Sequence, residues 1–315
     1  LLGAYIHASS CIYFLLPGLL LYSIDGCTRL RSSLQKDRVL SVIIEESGYI
    51  TVTVSTSKAA SAKPGQFMRV NFPAVSRVEF HPWTLVRSDA QEATFMFAPN
   101  AKTNEWSTRV AELLYSWKKG NAGPSVHLQG PFGKETALCS PDVLNSSDMM
   151  LFYVAGTGVA ASVAALRHIL ASRPDLRVRV CWVSRTEEMA RLSHLREWLS
   201  NTTAVSVELY STRPPADAHE FITADGDALA CADKAEDPLL LGTGVTTRHG
   251  RPKLGDVLQR AVLPMAETRE EAVRVAVFVC GPLQFTKDAV REASLFGRSH
   301  ATCVTVQLDT ESFAL

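Results

Sequence analysis

Apolar residues in the first half of the chain fall into short runs separated by turn-forming residues. Between about residues 39 and 130 these runs are VLSVII, YITVTVS, QFMRVNFP, HPWTLVR, ATFMFAP and SVHLQG, and they are rich in β-branched and aromatic residues. Several alternate apolar and polar positions, which is typical of half-buried strands. The pattern predicts a small antiparallel β-barrel or sandwich, interrupted by one helix in STRVAELLYSWKK.

Beyond residue 148 the apolar runs alternate with helical patterns. MMLFYVAG is uninterrupted, as in a buried parallel strand, and the helical pattern TGVAASVAALRHILAS follows it. Further strands are predicted in RVRVCWVS, AVSVELYS and RVAVFVCG, and further helices in TEEMARLSHLREWLS, GRPKLGDVLQRAV and PLQFTKDAVREAS. This alternation predicts a doubly wound α/β sheet, with a surface loop from about Thr212 to Leu239.

The N-terminal segment LLGAYIHASSCIYFLLPGLLLYSI contains no Asp, Glu, Lys or Arg. As a helix it would reach roughly 36 Å, enough to cross a hydrocarbon core of about 30 Å. Cationic residues follow directly, which favours a cytoplasmic location for the rest of the chain: Arg29, Arg31 and Lys36. We therefore predict a membrane span in residues 1–34. A signal peptide is the alternative, but it would need basic residues before the apolar run and a cleavage site after it.

The composition limits the classes of function that the chain can have. The 315 residues suffice for two domains and an appendage, and the lack of an initial methionine leads us to expect part of a longer protein. Lys+Arg and Asp+Glu both number 32, which argues against a nucleic-acid partner. The seven scattered cysteines include no CxxC pair. They predict neither a disulfide framework nor a metal site, and they fit a reducing compartment.

A glycine-containing turn lies between the first predicted strand and helix of the second half. Gly156, Thr157 and Gly158 suit a dinucleotide pyrophosphate, because missing side chains let the backbone approach and the helix end stabilises negative charge. An ordinary tight turn is the alternative. The next predicted strand ends at Ser184 and Arg185, where a 2′-phosphate would be bound; a solvated arginine is the alternative there.

A second candidate site lies at the end of a later predicted strand. Cys280, Gly281 and Pro282 occupy its carboxyl end, the edge at which ligands bind in an open sheet. Cysteine alone is more often a small buried apolar residue than a reactive thiol. Only its position makes Cys280 a candidate.

Eight segments occur in an order that points to one family: KPGQFMRVNFP, EFHPWTLVR, EWSTRV, GPFG, VAGTGVAA, GRPKLGDVL, VFVCGPLQF and ESF. Together they resemble the FAD/NADPH half of ferric reductases and NADPH oxidases, whose fold is like that of ferredoxin-NADP reductase. The N-terminal FLLPGLLLYSIDGCTRLRSS is similar to the last membrane helix of plant- and alga-type ferric-chelate reductases. The chain departs from the common family pattern at Ala155 and Ala161, where Gly and Pro are usual.

The resemblance implies a set of site residues. His81, Pro82, Trp83 and Thr84 would line the isoalloxazine and ribityl chain of FAD, with Thr84 hydrogen-bonded to flavin N5. The FAD pyrophosphate would lie at a helix start with an arginine as counter-charge; these residues are Trp106, Ser107 and Thr108, with Arg87 or Arg109. Cys280 would contact the nicotinamide, and Phe313 would cover the other flavin face until the nicotinamide enters.

The resemblance also implies an organisation and a function. Residues 1–34 would be a terminal transmembrane helix, 37–140 an FAD-binding β-barrel domain and 147–315 an NADPH-binding α/β domain. A hydride from NADPH would reach FAD, and single electrons would pass to haem b in upstream helices and then to an external ferric chelate. We therefore expect an integral protein of a lipid bilayer, in the plasma membrane, with both cofactor domains in the cytoplasm.

Two other hypotheses remain open at this point. A superoxide-generating NADPH oxidase would share the same cytosolic machinery and differ in its outer electron acceptor. A catalytically silent membrane protein could keep the fold for assembly or regulation.

Overall fold

The computed structural model describes seven parts of the chain: residues 11–34, 37–45, 48–99, 105–117, 122–184, 204–212 and 245–313. The predicted helix TEEMARLSHLREWLS lies outside these residues. So does the predicted loop beyond Thr212.

The first described element is helix α1, Cys11–Leu34, which is exposed from Phe14 to Thr28. None of the described helices is both long enough and apolar enough to cross a membrane. The predicted span over residues 1–34 extends beyond the described part of the chain and stays a prediction. Residues 1–10 lie outside the described residues.

Six antiparallel strands form a closed barrel in the order β1-β2-β5-β4-β3-β6. They are β1 Asp37–Ile44, β2 Ile50–Ser55, β3 Phe67–Asn71, β4 His81–Ser88, β5 Glu92–Phe97 and β6 Ser125–Phe132. Helix α2, Trp106–Ser116, connects β5 to β6 and buries its apolar stripe against the barrel. The predicted antiparallel barrel is confirmed, and its core is formed by the β-branched and aromatic positions of the predicted runs.

The second domain is a parallel sheet of the order β10-β9-β8-β7-β11-β12. Its strands are β7 Met149–Ala155, β8 Arg177–Ser184, β9 Val205–Ser211, β10 Val245–His249, β11 Val273–Pro282 and β12 Val304–Phe313. Helix α3, Pro141–Ser146, precedes it, and α4 Val159–Ser172, α5 Leu254–Ala266 and α6 Leu283–Ser299 pack on its faces. The predicted doubly wound sheet is confirmed. The strand order reverses between β7 and β11, the position at which such sheets bind ligands.

The two domains share a buried interface. Tyr49, Val86 and Met96 of the barrel belong to the same apolar cluster as α4 and one face of the sheet. A polar contact reinforces this interface, since the Asp309 carboxylate of β12 accepts hydrogen bonds from Thr136 Oγ1 at 2.7 Å and from the Ala137 amide at 2.8 Å. The barrel is therefore fixed against the sheet by both apolar and polar contacts.

A buried ion pair holds the barrel together where β1 meets β6. Lys58 Nζ lies 2.8 Å from Asp37 Oδ2, and each side chain is only 10% exposed. The same ammonium donates a hydrogen bond to the Leu128 carbonyl at 3.1 Å. One cation thus connects β1, β6 and the segment that follows β2.

We expect Lys58→Met to lower the free energy of unfolding by about 3–5 kcal/mol, because it leaves the Asp37 carboxylate buried without its cation. The double variant Lys58→Met with Asp37→Leu should recover most of this loss. Lys63→Met is the matched control, since Lys63 pairs with Glu135 at an exposed site and should contribute less than about 1 kcal/mol. Urea unfolding of the four proteins measures these differences, and equal losses in both single variants would contradict the assignment.

Candidate functional site

The turn between β7 and α4 lies at the point where the strand order reverses. Gly156 has φ +55°, a conformation that glycine adopts without strain. At Gly158 a Cβ atom would stand 2.6 Å from the Cys280 carbonyl oxygen, so only glycine fits against β11. In the described residues no side chain caps the amides at the start of α4. The turn therefore fits a pyrophosphate.

Trp182 on β8 supports this turn, a role that its sequence pattern did not indicate. Its indole Nε1 donates a hydrogen bond to the Gly156 carbonyl oxygen at 3.0 Å, and its side chain is 0% exposed. The Val159 amide donates to the same carbonyl from within the turn. Tyr49 of the barrel contacts the Trp182 ring edge-on, with ring centroids 6.3 Å apart.

The four residues at the start of β4 divide between the inside and the outside of the barrel. Trp83 lies in the core, 7% exposed, with its ring stacked on Phe97 at a centroid distance of 4.4 Å. Pro82 is exposed and Thr84 is buried at 8% exposure. Because side chains alternate along a strand, Pro82 and Thr84 lie on the face opposite to Trp83. The ring of Trp83 therefore points into the barrel, and its predicted contact with a flavin stays a prediction.

His81 and the start of α2 form a compact pair outside the core. The imidazole of His81 stacks on the indole of Trp106 with centroids 4.1 Å apart and an interplanar angle of 21°. Partial burial lowers the pKa of His81, while the charge of Glu79 opposes this shift, so the ring stays neutral at neutral pH. The family resemblance assigned these two residues to one site, and the structure brings them into contact.

The first turn of α2 carries several features that fit an anionic cofactor. Ser107 and Thr108 are half-buried, and in the described part of the chain no side chain caps this helix at Glu105. The Nε1 atom of Trp106 is buried and has no hydrogen-bond partner among the described residues. An unpaired buried donor is unfavourable, so a bound acceptor here would satisfy it. These residues fit the phosphate and ribose portion of FAD.

The two arginines predicted to balance the FAD pyrophosphate lie apart. The Arg109 guanidinium donates a hydrogen bond to the Val75 carbonyl in the segment before β4. Arg87 is exposed and lines a cavity of about 360 Å³ together with Lys63, Asp89 and Arg167. None of residues 81–84 or 156–158 lines that cavity. Of these two arginines, Arg109 is the one that lies in α2, close to its start.

The end of β8, where the 2′-phosphate was predicted, is only partly described. Ser184 is 9% exposed, and its carbonyl accepts hydrogen bonds from the amide and the hydroxyl of Thr212, both at 2.9 Å. These bonds join the carboxyl ends of β8 and β9. Arg185 lies outside the described residues.

The structure buries the Cys280 side chain, which is 0% exposed and lies beneath Gly158. Burial, with a smaller contribution from Glu311, raises the pKa of this thiol far above its usual range. The thiol is therefore protonated at neutral pH and covered by the turn. Gly281 is also closely packed, since a Cβ atom there would lie 2.8 Å from the Phe285 ring.

The carboxyl end of β12 lies beside this strand end. Phe313 pairs in register with Pro282, and Glu311 pairs with Cys280; the Phe313 side chain lies outside the described residues. Burial, followed by the charge of Asp309, raises the pKa of Glu311 to about 7. The family resemblance gave a site role to the phenylalanine of the ending ESF and none to its glutamate, which is Glu311. The acidic residue type so close to Phe313 was the signal available in the sequence.

Comparison with known families identifies both domains. Residues 34–136 match the family model described as an FAD-binding domain. Residues 147–294 match the one described as a ferric reductase NAD binding domain. The two matches cover the barrel with its following linker and most of the parallel sheet.

Curated relatives extend this similarity over most of the chain. The heavy chain of a superoxide-generating NADPH oxidase of Dictyostelium discoideum is 24% identical over 306 residues, covering 90% of this chain and 55% of that protein. Ferric reduction oxidase 2 of Arabidopsis thaliana is 24% identical over 213 residues, covering 64% and 29%. Dual oxidase 2 of Homo sapiens is 26% identical over 307 residues, covering 91% and 19%. The chain thus spans about half of the first relative and less of the others.

Solved structures share the fold. A ferredoxin NADP+ reductase from Neisseria gonorrhoeae, with bound FAD and NADP, superimposes with a TM-score of 0.56 and 15% identity, covering 87% of this chain and 98% of that one. A cytochrome P450 reductase from Amycolatopsis gives a TM-score of 0.57 and 16% identity, covering 88% and 69%. The predicted ferredoxin-reductase-like fold is confirmed.

The raised pKa of Glu311 predicts a pH dependence of stability. Between about 4.3, the value of an unfolded glutamate, and about 7 in the folded protein, the native state holds a proton that the unfolded chain has released. This carboxyl therefore reduces the free energy of unfolding as pH rises through that window. We expect Glu311→Gln to remove this decline and to gain up to about 3 kcal/mol over the parent at pH 8, but much less at pH 5.

Thermal or urea unfolding between pH 5 and pH 8 measures this difference. Glu271→Gln, at an exposed carboxylate, is the control and should follow the parent at every pH. Parallel pH curves for the parent and Glu311→Gln would show that the carboxyl ionises normally in the folded protein.

Proposed function

Because the chain belongs to the ferric reductase and NADPH oxidase family of flavin oxidoreductases, we propose that it carries electrons from NADPH through FAD to ferric chelate. One observation supports this proposal most strongly. The glycine turn after β7, the end of β11 and the end of β12 meet where the strand order reverses, and α4, which begins at that turn, packs on β4. A dinucleotide at the turn and a flavin on β4 would therefore be neighbours.

The FAD would be held on the outer face of the barrel, within a unit of residues 37–140. Bound FAD accepts a hydride and releases electrons one at a time, which is the chemistry that this cofactor supplies. Thr84 would donate or accept a hydrogen bond at flavin N5, beside Pro82 on the same strand face. The amides of the first turn of α2 would bind the phosphate and ribose end, together with Trp106 Nε1, which has no partner in the described parts of the chain.

The NADPH would be held by the unit of residues 147–315. Gly156, Thr157 and Gly158 would bind its pyrophosphate, and Ser184 with Arg185 its 2′-phosphate. Cys280, Gly281 and Pro282 would form the floor beneath the nicotinamide. Because the thiol is buried, the contact from Cys280 would come from its backbone and from the Gly158 turn packed on it.

Phe313 would close the site from the end of β12. Its backbone lies beside Pro282. We propose that its ring covers the flavin face and leaves when the nicotinamide stacks there, so that the two compete for one apolar surface.

The leading proposal and its alternative differ in the electron acceptor. For ferric chelate, the electrons would leave through haem b in a part of the protein that precedes this chain, within a plasma membrane whose cytoplasmic side carries both domains. Superoxide formation is the second candidate, because the NADPH oxidase from Dictyostelium aligns with 306 residues of this chain and the ferric reduction oxidase with 213. The same FAD and NADPH residues would serve either acceptor.

An assay of the full-length protein in membranes distinguishes these acceptors. We expect NADPH-dependent ferric-chelate reduction to exceed superoxide formation at least about tenfold, and to persist when superoxide dismutase is added or oxygen is removed. Iron reduction that disappears under either condition would instead identify superoxide as the primary product. Purified protein without bound flavin and without NADPH oxidation would favour the catalytically silent alternative.

Flavin retention tests the assignment of β4. We expect Thr84→Val to weaken FAD binding by about 1–3 kcal/mol, because it removes a hydroxyl partner at a buried polar ligand while keeping the side-chain shape. Thr51→Val is the matched control, since its hydroxyl oxygen is buried without a hydrogen-bond partner among the described residues. The flavin-to-protein ratio after desalting is the measurement. If Thr84→Val keeps as much flavin as Thr51→Val, Thr84 does not contact the cofactor.

A further inference from the structure

The carbonyl group of Gly156 is held by two donors at once. The indole Nε1 of Trp182 donates to it at 3.0 Å. The Val159 amide donates to it across the turn and shares this bond with the Thr157 carbonyl. A carbonyl oxygen has two lone pairs, so these two bonds saturate it. The oxygen is thereby directed toward β8 and into the turn.

This restraint matters because the peptide group between Gly156 and Thr157 could otherwise rotate. Glycine enters left-handed and extended conformations with little penalty, and Gly156 already has φ +55°. Rotation of that peptide group would turn its carbonyl toward the space above the turn and its amide away from it. A carbonyl oxygen facing a pyrophosphate would repel it, whereas an amide hydrogen attracts it.

Residues of both domains hold the Trp182 indole against the Gly156 carbonyl. Trp182 is 0% exposed and lies in the apolar cluster that includes α4, β7 and β11. Tyr49 of the barrel, 4% exposed, contacts its ring with planes at 72°. The indole therefore has little freedom to leave the Gly156 carbonyl while the barrel is docked.

We infer that Trp182 is a positioning residue for the NADPH pyrophosphate, acting through the Gly156 carbonyl. This inference deepens the proposed function and rests on it. The indole N–H keeps this peptide group in the orientation that directs the Thr157 amide, which lies opposite the Gly156 carbonyl, toward the phosphates. The apolar contact with Tyr49 makes that orientation depend on the docked barrel.

The test measures dinucleotide affinity in the FAD-loaded protein by calorimetry. We expect Trp182→Phe to weaken NADP+ and NAD+ by the same factor, roughly tenfold, since both contain the pyrophosphate and a buried hydrogen bond is lost. Binding of 2′-AMP, which lacks the pyrophosphate, should stay within about twofold of the parent. Trp117→Phe is the matched control, because its buried Nε1 has no partner among the described residues and its loss should leave all three affinities unchanged.

A second variant separates the loss of the N–H group from disruption of the core. Replacement of Trp182 by β-(3-benzothienyl)alanine keeps the shape of the ring and removes only the N–H group, and it should weaken NADP+ by the same factor. If this variant binds NADP+ as tightly as the parent, the inference is overturned and the proposed function stands. The same conclusion follows if the variant loses as much affinity for 2′-AMP as for NADP+. A parent protein that holds FAD but binds no dinucleotide overturns the proposed function, and this inference with it.

Discussion

The close packing of Gly158 on the Cys280 carbonyl is the constraint from which the candidate site follows. No side chain fits between them, so the turn after β7 lies directly against the end of β11. This contact fixes the first turn of α4, and α4 in turn packs on β4 of the barrel. The missing Cβ atom at Gly158 thus decides how closely this turn, and with it α4, can approach the end of β11. It also explains why the thiol of Cys280 is covered rather than reactive.

The sequence predicted the parts of the fold that local pattern controls. Alternating and continuous apolar runs indicated the barrel and the doubly wound sheet, because those patterns show which faces are buried. β12 was not predicted, since it is a sheet-edge strand whose sequence, VTVQLDTESF, carries polar residues on both faces.

Candidate site residues could be predicted where their type alone implied the chemistry. Gly156 and Gly158 could be found from their spacing after a strand. The hydrogen bond from Trp182 to the Gly156 carbonyl and the raised pKa of Glu311 could not be predicted, because the first joins residues far apart in sequence and the second arises mainly from burial in the fold. The inward position of Trp83 likewise depends on the pairing register of β4 with β3. The family resemblance pointed to residues of this strand but not to the barrel face that each side chain occupies.

The ion pair at the barrel seam has a consequence for synthesis of the chain on the ribosome. Lys58 bonds to Asp37 nearby, but its second acceptor, Leu128, is 70 residues further along the sequence. Until β6 has left the ribosome, β1 lacks its neighbour on that side, and an unpaired strand edge can associate with other chains. Its outer face also exposes Leu40 and Ile43. The barrel can therefore close only after its last strand has been synthesised.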